Sequence, residues 1–212
     1  MVPAGGPSGR YSVIQRLELR MRAVVVFESL YGNTRLVAEE IASGIRAASP
    51  RTTVHCLSVR DARSDLIADT DLLVVGGPTH LRHMSSGMTR RMGVQAIVES
   101  SEGTCRTVHY LEPGAEVSGL RDWFRLLPRI PASASQHHRP CAAAFDTRTN
   151  ARLAGGAAKG ICRRLSQHGY ALLAAPQGFV VDDTEGPPHE GELTRAAQWG
   201  ASLMAALAAE AG

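Results

Sequence analysis

The chain has 212 residues, 44% of them hydrophobic, with 23 Lys and Arg against 20 Asp and Glu for a formal net charge of +3. This is enough apolar material for one domain with a full core, and no run of about 18 apolar residues occurs, so no membrane span is expected. The basic residues Arg82, Arg90, Arg91, Arg121, Arg125, Arg163 and Arg164 are dispersed, with no aromatic-interleaved stripe, which argues against a nucleic-acid partner.

Met1–Arg20 is polar and contains Gly, Pro and Ser. It lacks the apolar segment of a secretory signal and is expected to be a loosely ordered N-terminal extension. A single domain is expected over 21–212. Ala23–Phe27 reads as a buried strand, followed by a loop and a helix from Thr34 to Arg46 with Val37, Ile41 and Ile45 facing the sheet. Thr53–Val59 is a second strand. Asp71-Leu72-Leu73-Val74-Val75-Gly76-Gly77-Pro78-Thr79-His80 has an acidic start, four apolar residues and a Gly-Gly-Pro stop, which predicts a strand buried on both faces.

Residues 85–139 are too long for one crossover helix and form an extended connection. Within it Met88–Val98 can be helical. Gly119–Leu127 reads as a short helix stopped by Pro128, with Trp123 and Phe124 as core anchors. Ala142–Phe145 is the fourth strand. A helix follows from about Ala157 to His168, its stripe Ala158, Ile161, Cys162 and Leu165, with Gly169 as its stop. The fifth strand lies within Tyr170–Val181, with a break expected at Pro176-Gln177-Gly178. The last helix runs from about Glu190 to Ala209. Strands alternating with one-sided helices predict a doubly wound five-stranded parallel sheet in the order 2-1-3-4-5, with a ligand at the switch between strands 1 and 3. The cysteines at 56, 105, 141 and 162 form no Cys-x-x-Cys pair and are expected to be reduced thiols of a cytoplasmic protein.

The turn after strand 1 carries the strongest chemistry. Gly32 lets the backbone turn its N–H groups inward, and Ser29, Asn33 and Thr34 can add side-chain donors. The helix that starts there aims its unpaired first-turn N–H groups and its positive dipole end at the same point. Such a site can hold a phosphate largely without a cation. A tight strand–helix turn with no ligand is the plainer alternative.

Ser29-Leu30-Tyr31-Gly32-Asn33-Thr34 resembles the phosphate loop of flavodoxins, Ser/Thr-x-Thr-Gly-Asn-Thr, with Tyr31 where that pattern usually has Thr. No Gly-Lys-Ser/Thr follows, so it is not the nucleotide P-loop. The strand ending in Gly77-Pro78-Thr79 is similar to the flavodoxin strand whose loop lines one side of the flavin ring. Cys141–Arg148 matches in place the strand whose loop borders the other side. The resemblance covers roughly residues 21–209 and implies a flavodoxin-like fold and FMN as cofactor. Ser29, Leu30, Tyr31, Gly32, Asn33 and Thr34 would hold the phosphate. Pro78, Thr79, His80 and Leu81, with Phe145, Asp146, Thr147 and Arg148, would border the ring. His80, His83 and Phe145 are the aromatic candidates, in place of the Trp or Tyr usual in electron-transfer flavodoxins.

The role implied is electron transfer or two-electron reduction of a small acceptor such as a quinone, with an unknown redox partner or small-molecule acceptor. An FMN-dependent reductase of quinones or other small acceptors fits nearly as well as a carrier, because small carrier flavodoxins are usually acidic and this chain is basic. The alternative from another class is a flavodoxin-like binding or regulatory module that has lost flavin and catalytic activity. No metal site is expected.

Overall fold

The computed structural model describes residues 21–80, 83–84, 119–131, 139–149, 156–183 and 185–210. The expectations for the segment 1–20, for Leu81 and for most of 85–139 lie outside these residues, as do those for the side chains of His80 and His83.

The strands are β1 (Arg22–Phe27), β2 (Thr53–Ser58), β3 (Leu72–His80), β4 (His83–Met84), β5 (Cys141–Thr149), β6 (Ala171–Leu172) and β7 (Gln177–Val181). The helices are α1 (Asn33–Ala48), α2 (Ser64–Ile67), α3 (Leu120–Leu126), α4 (Ala157–Gln167) and α5 (Glu192–Glu210). The parallel sheet runs β2-β1-β3-β5-β6, and β7 also pairs with β5. Counting β6 and β7 as two halves of one strand, this is the expected order 2-1-3-4-5.

The break in the fifth strand falls at 173–176, slightly before the expected place, and Gln177 and Gly178 belong to β7. Pro176 has no N–H to give a ladder, so pairing resumes after it. β6 pairs with Cys141 and Ala142, and β7 with Phe145 to Thr149. The third strand continues past Gly76 to His80 and turns back as antiparallel β4, with Thr79 opposite Met84. Its two glycines keep the strand going because neighbours need their space. A Cβ at Gly76 would run into the Phe145 ring, and one at Gly77 would lie 2.6 Å from Leu120 Cδ1.

Alternation along the strands sorts the core into two layers. Val25, Val74, Ala143 and Phe145 face α1 and α5. Val24, Val26, Val75 and Ala144 face α3 and α4. Trp123 is buried in the second layer, and its indole N–H donates to the Ala62 carbonyl at 2.8 Å. In the first layer α1 and α5 meet backbone to backbone. A Cβ at Gly44 would collide with the Ala197 carbonyl oxygen, and one at Gly200 with that of Ile41. Both helices thereby lie flat under the sheet, and α1 is fixed where it delivers its N-terminus to the carboxyl edge.

Candidate functional site

The site is built at the carboxyl ends of β1, β3 and β5. The Glu28 N–H donates to the Gly76 carbonyl at 2.9 Å, which ties the start of the loop to β3. The chain then turns through Ser29, Leu30 and Tyr31 to Gly32, whose φ of 87° lies in the left-handed region that a side chain strains. The buried Ser29 Oγ accepts the Gly32 N–H at 3.1 Å. Ser29, Leu30, Asn33 and Thr34 are buried, and Tyr31 is half-buried. Burial, and after it the charge of Glu185, pushes the Tyr31 hydroxyl above its usual pKa.

The first bond of α1 runs from the Leu36 N–H to the Gly32 carbonyl at 3.0 Å. The N–H groups before it, those of Asn33 and Thr34 among them, are not consumed by the helix. Gly32 supplies no side-chain cap, and the first turn holds no acidic residue.

The other helix that starts at this edge is closed by the protein itself. The Ala157 N–H of α4 donates to Thr79 Oγ1 at 2.9 Å, and the Ala158 N–H to Asp146 Oδ2 at 2.9 Å. Asp146 is fully buried. Burial raises its carboxyl pKa, against the lowering effects of the Ala158 N–H, of Arg148 and of the Thr79 hydroxyl. Its Oδ1 accepts no hydrogen bond and faces Arg148 Nε at 3.8 Å. Arg148 lies against Gly178, where a Cβ would collide with its guanidinium. The resemblance implies that Arg148 borders the ring; the structure also gives its guanidinium a carboxylate partner in Asp146.

β5 alternates, so its last residues divide between the two faces. Phe145 points to the α1 and α5 side, is completely buried, and packs edge-on to Phe179 and Trp199. It is a core residue and presents no face to a ligand. Thr147 points the same way, and its Oγ1 lies 2.7 Å from Thr34 Oγ1 in a buried contact. Pro78 pairs in register with Thr147, so the ends of β3 and β5 adjoin. Ser29 through Thr34, Pro78, Thr79, Asp146, Thr147 and Arg148 therefore share one edge of the sheet.

Sequence reasoning missed one neighbour of the loop. The described residues after β7, 182–183 and 185–191, fold back on it, with the His189 N–H donating to the Val180 carbonyl. Gly186, with φ 99°, sits so close to Asn33 that a Cβ would overlap the Asn33 amide. The Gly186-Pro187 pair in an otherwise polar stretch was the available signal of a tight turn, but nothing in it named Asn33. Glu28 was also unassigned. It is buried, and its Oε2 accepts the Leu120 N–H at 2.8 Å, closing the start of α3.

The donor set fits a phosphate. It comprises a left-handed glycine, a helix start with no acidic residue, and buried hydroxyls. Among the described residues no group of His, Cys, Asp and Glu could hold a metal ion, and no helix is long and apolar enough to cross a membrane.

A flavodoxin family model matches residues 25–85. No curated protein matches the chain in sequence. Among solved structures, a flavodoxin from the domain Archaea is 17% identical with a TM-score of 0.56, and the match covers 88% of this chain and 99% of that one. Oxidised flavodoxin 1 from Bacillus cereus is 16% identical with a TM-score of 0.55, covering 87% and 97%. The Streptococcus pneumoniae flavodoxin is 14% identical with a TM-score of 0.54, covering 87% and 98%. The fold is flavodoxin-like, and the family match runs from within β1 through the loop and α1 to the end of β3 and beyond.

Proposed function

We propose that this flavodoxin-like chain binds FMN at the carboxyl edge of its sheet and serves in electron transfer or in the two-electron reduction of a small acceptor such as a quinone. The family match and the flavodoxin neighbours point to FMN. The observation that carries the reading is the contrast between two helix starts. α4 is capped by Asp146 and Thr79, while the first turn of α1 holds no acidic residue and its start has no side-chain cap. An anion is favoured at the second and disfavoured at the first.

Bound FMN would supply the redox chemistry. The chain's own part is to hold and to orient. Ser29, Leu30, Tyr31, Gly32, Asn33 and Thr34 would take the phosphate. Pro78, Thr79, His80 and Leu81 on one side, with Asp146, Thr147 and Arg148 on the other, would border the ring. Asp146 and Thr79 fix the position of that border through α4 and add no acid–base step. The described cysteines are free, and Cys162 is buried, which supports a reducing, cytoplasmic setting.

Purified protein should be yellow, or become so with FMN, with bands near roughly 375 and 450 nm from the bound flavin. A colourless protein that takes up no FMN sinks the reading. Redox titration of the loaded protein separates the two roles. Two well-separated one-electron steps indicate a carrier, and a single two-electron wave indicates a reductase.

One observation favours a flavin-free binding module instead. The hydroxyls of Ser29 and Thr34 already have partners within the protein, and Gly186 packs on Asn33. In that case FMN would fail to bind while the fold stayed intact.

A further inference from the structure

After β7 the chain doubles back as a narrow hairpin beside the phosphate loop. The Asp182 N–H donates to the Pro187 carbonyl at 2.9 Å, the His189 N–H to the Val180 carbonyl at 3.0 Å, and Val181 bridges Pro188. Its base is fastened to α5. Glu192 Oε2 accepts the Val180 N–H at 2.8 Å, and the Arg195 guanidinium donates to the Gly178 carbonyl. Its tip meets the loop on both sides of Gly32. Gly186 lies on the Asn33 amide, whose Oδ1, Cγ and Nδ2 are all within 2.6 Å of where a Cβ would stand. The neighbouring Glu185 acts on the Tyr31 hydroxyl through its charge. Between base and tip, Asp182 Oδ1 and His189 Nδ1 join the two arms at 2.6 Å, with both side chains open to solvent.

We propose that Asp182 and His189 form a proton-operated latch, which holds Gly186 against Asn33 and so sets the affinity of the phosphate loop for its anion. Asn33 is buried in the first turn of α1. An amide braced in place has fewer orientations to lose when it meets a ligand, and preorganisation of this kind raises affinity. The brace is only as firm as the hairpin that carries it. With His189 protonated, an ion pair and a charge-assisted hydrogen bond join the arms. With the ring neutral, a plain hydrogen bond is left. The bond to Asp182 and the charge of Asp182 raise the His189 pKa above its usual value, and Glu192 at the start of α5 and Glu190 beside it raise it further. The latch is therefore fully closed below the ordinary histidine pKa of about 6.5 and opens as pH climbs through the raised folded value. Exposure keeps the effect modest and salt-dependent. Gly186, Asp182 and His189 are positioning residues that act through Asn33. Their effect on affinity rests on the reading of the loop as an FMN site, whereas the latch itself is observable without flavin.

Heteronuclear NMR of the full chain without flavin, titrated from about pH 5 to 9, follows the His189 ring and the Asn33 side-chain amide. The Asn33 signals should shift with the His189 midpoint, and Asp182→Asn and His189→Gln should each remove that shift. FMN and riboflavin affinities over the same range at low salt give the second readout. For FMN, wild type should exceed His189→Gln by about two- to fivefold at the acid end and match it at the alkaline end, the span an exposed ion pair supplies. The phosphate loses its own second proton near pH 6, roughly, in every variant, so the ratio isolates the latch. Riboflavin affinities should stay equal. Gly186→Ala should weaken FMN at every pH. Asn33 signals that ignore the His189 titration overturn the proposal, as do FMN profiles that superimpose or wild-type affinity in Gly186→Ala. A riboflavin ratio that follows the FMN ratio overturns Asn33 as the link to the phosphate. Should Gly186→Ala fail to fold, the two surface variants decide. Failure of every form to take up FMN overturns the flavin reading, and the NMR titration then decides the latch.

Discussion

Thr34 on α1 and Thr147 on β5, 113 residues apart in sequence, join hydroxyl to hydroxyl at 2.7 Å in a buried contact. The pair has two O–H groups and uses one between its members, so one remains to be directed at a third partner. It also clamps the first turn of α1 to the strand that borders the opposite side of the site. Thr34→Ala should weaken FMN by about 1–3 kcal/mol, the scale for a lost bond to a charged group. Thr147→Val should do nearly the same. The double variant should lose less than the sum, because the two act as one unit. Riboflavin, which lacks the phosphate, serves as the control in each titration. An equal fall in riboflavin affinity would make the pair a structural clamp only.

Gly32→Val should abolish FMN retention with little change in the far-UV spectrum. A β-branched residue cannot easily accept the φ of 87° that the turn needs. Unchanged flavin content in the purified variant would remove the loop from the binding site.

Glu185 places negative charge near Tyr31, and hence near the loop where a phosphate would sit. Glu185→Gln should tighten FMN severalfold at low salt and leave riboflavin unaffected, since like charges repel and salt screens them. The comparison of the two ligands across a salt series decides it. No change in FMN affinity at the lowest salt would mean that the phosphate lies beyond the reach of that charge.

Asp146 predicts a pH dependence of stability. Burial raises its carboxyl pKa in the folded protein above the ordinary carboxylate range. The folded state therefore holds that proton more tightly than the unfolded chain. Its contribution is full below the unfolded pKa of about 3.9 and is lost as pH rises through the folded value. Asn at this position keeps an oxygen for the Ala158 N–H and cannot titrate. Relative to wild type, Asp146→Asn should gain stability as pH climbs from about 4 toward neutral. Urea melts across that range measure it, and a pH-independent difference would contradict the buried-carboxyl account.

Much of this fold was legible because its signals are local. The apolar runs Ala23–Phe27 and Leu72–Val75 and the stripe Val37, Ile41 and Ile45 state their own structure. The phosphate loop was legible for the same reason, since Gly32, Asn33 and Thr34 act within one turn. The less legible residues work through distant partners. Thr79 caps an amide 78 residues away, and Arg148 meets Asp146 with its guanidinium folded over Gly178. By resemblance Phe145 is an aromatic candidate for the border of the ring, at the end of an apolar run. Strand alternation instead sends it into the layer shared with Phe179 and Trp199.

The glycine contacts between α1 and α5 also bear on how the molecule matures during synthesis. The loop that would receive the phosphate is among the first described parts of the chain to be made. The helix beneath it can close on Gly44 and Gly200 only after α5 has emerged. Until then α1 lacks the partner that seals its lower face, and a growing chain would carry the loop's residues without the frame that holds them. Cofactor capture would thus belong to the finished chain and not to the nascent one. In this arrangement a substitution as remote from the loop as Gly200→Ala would show itself as slow or incomplete flavin loading.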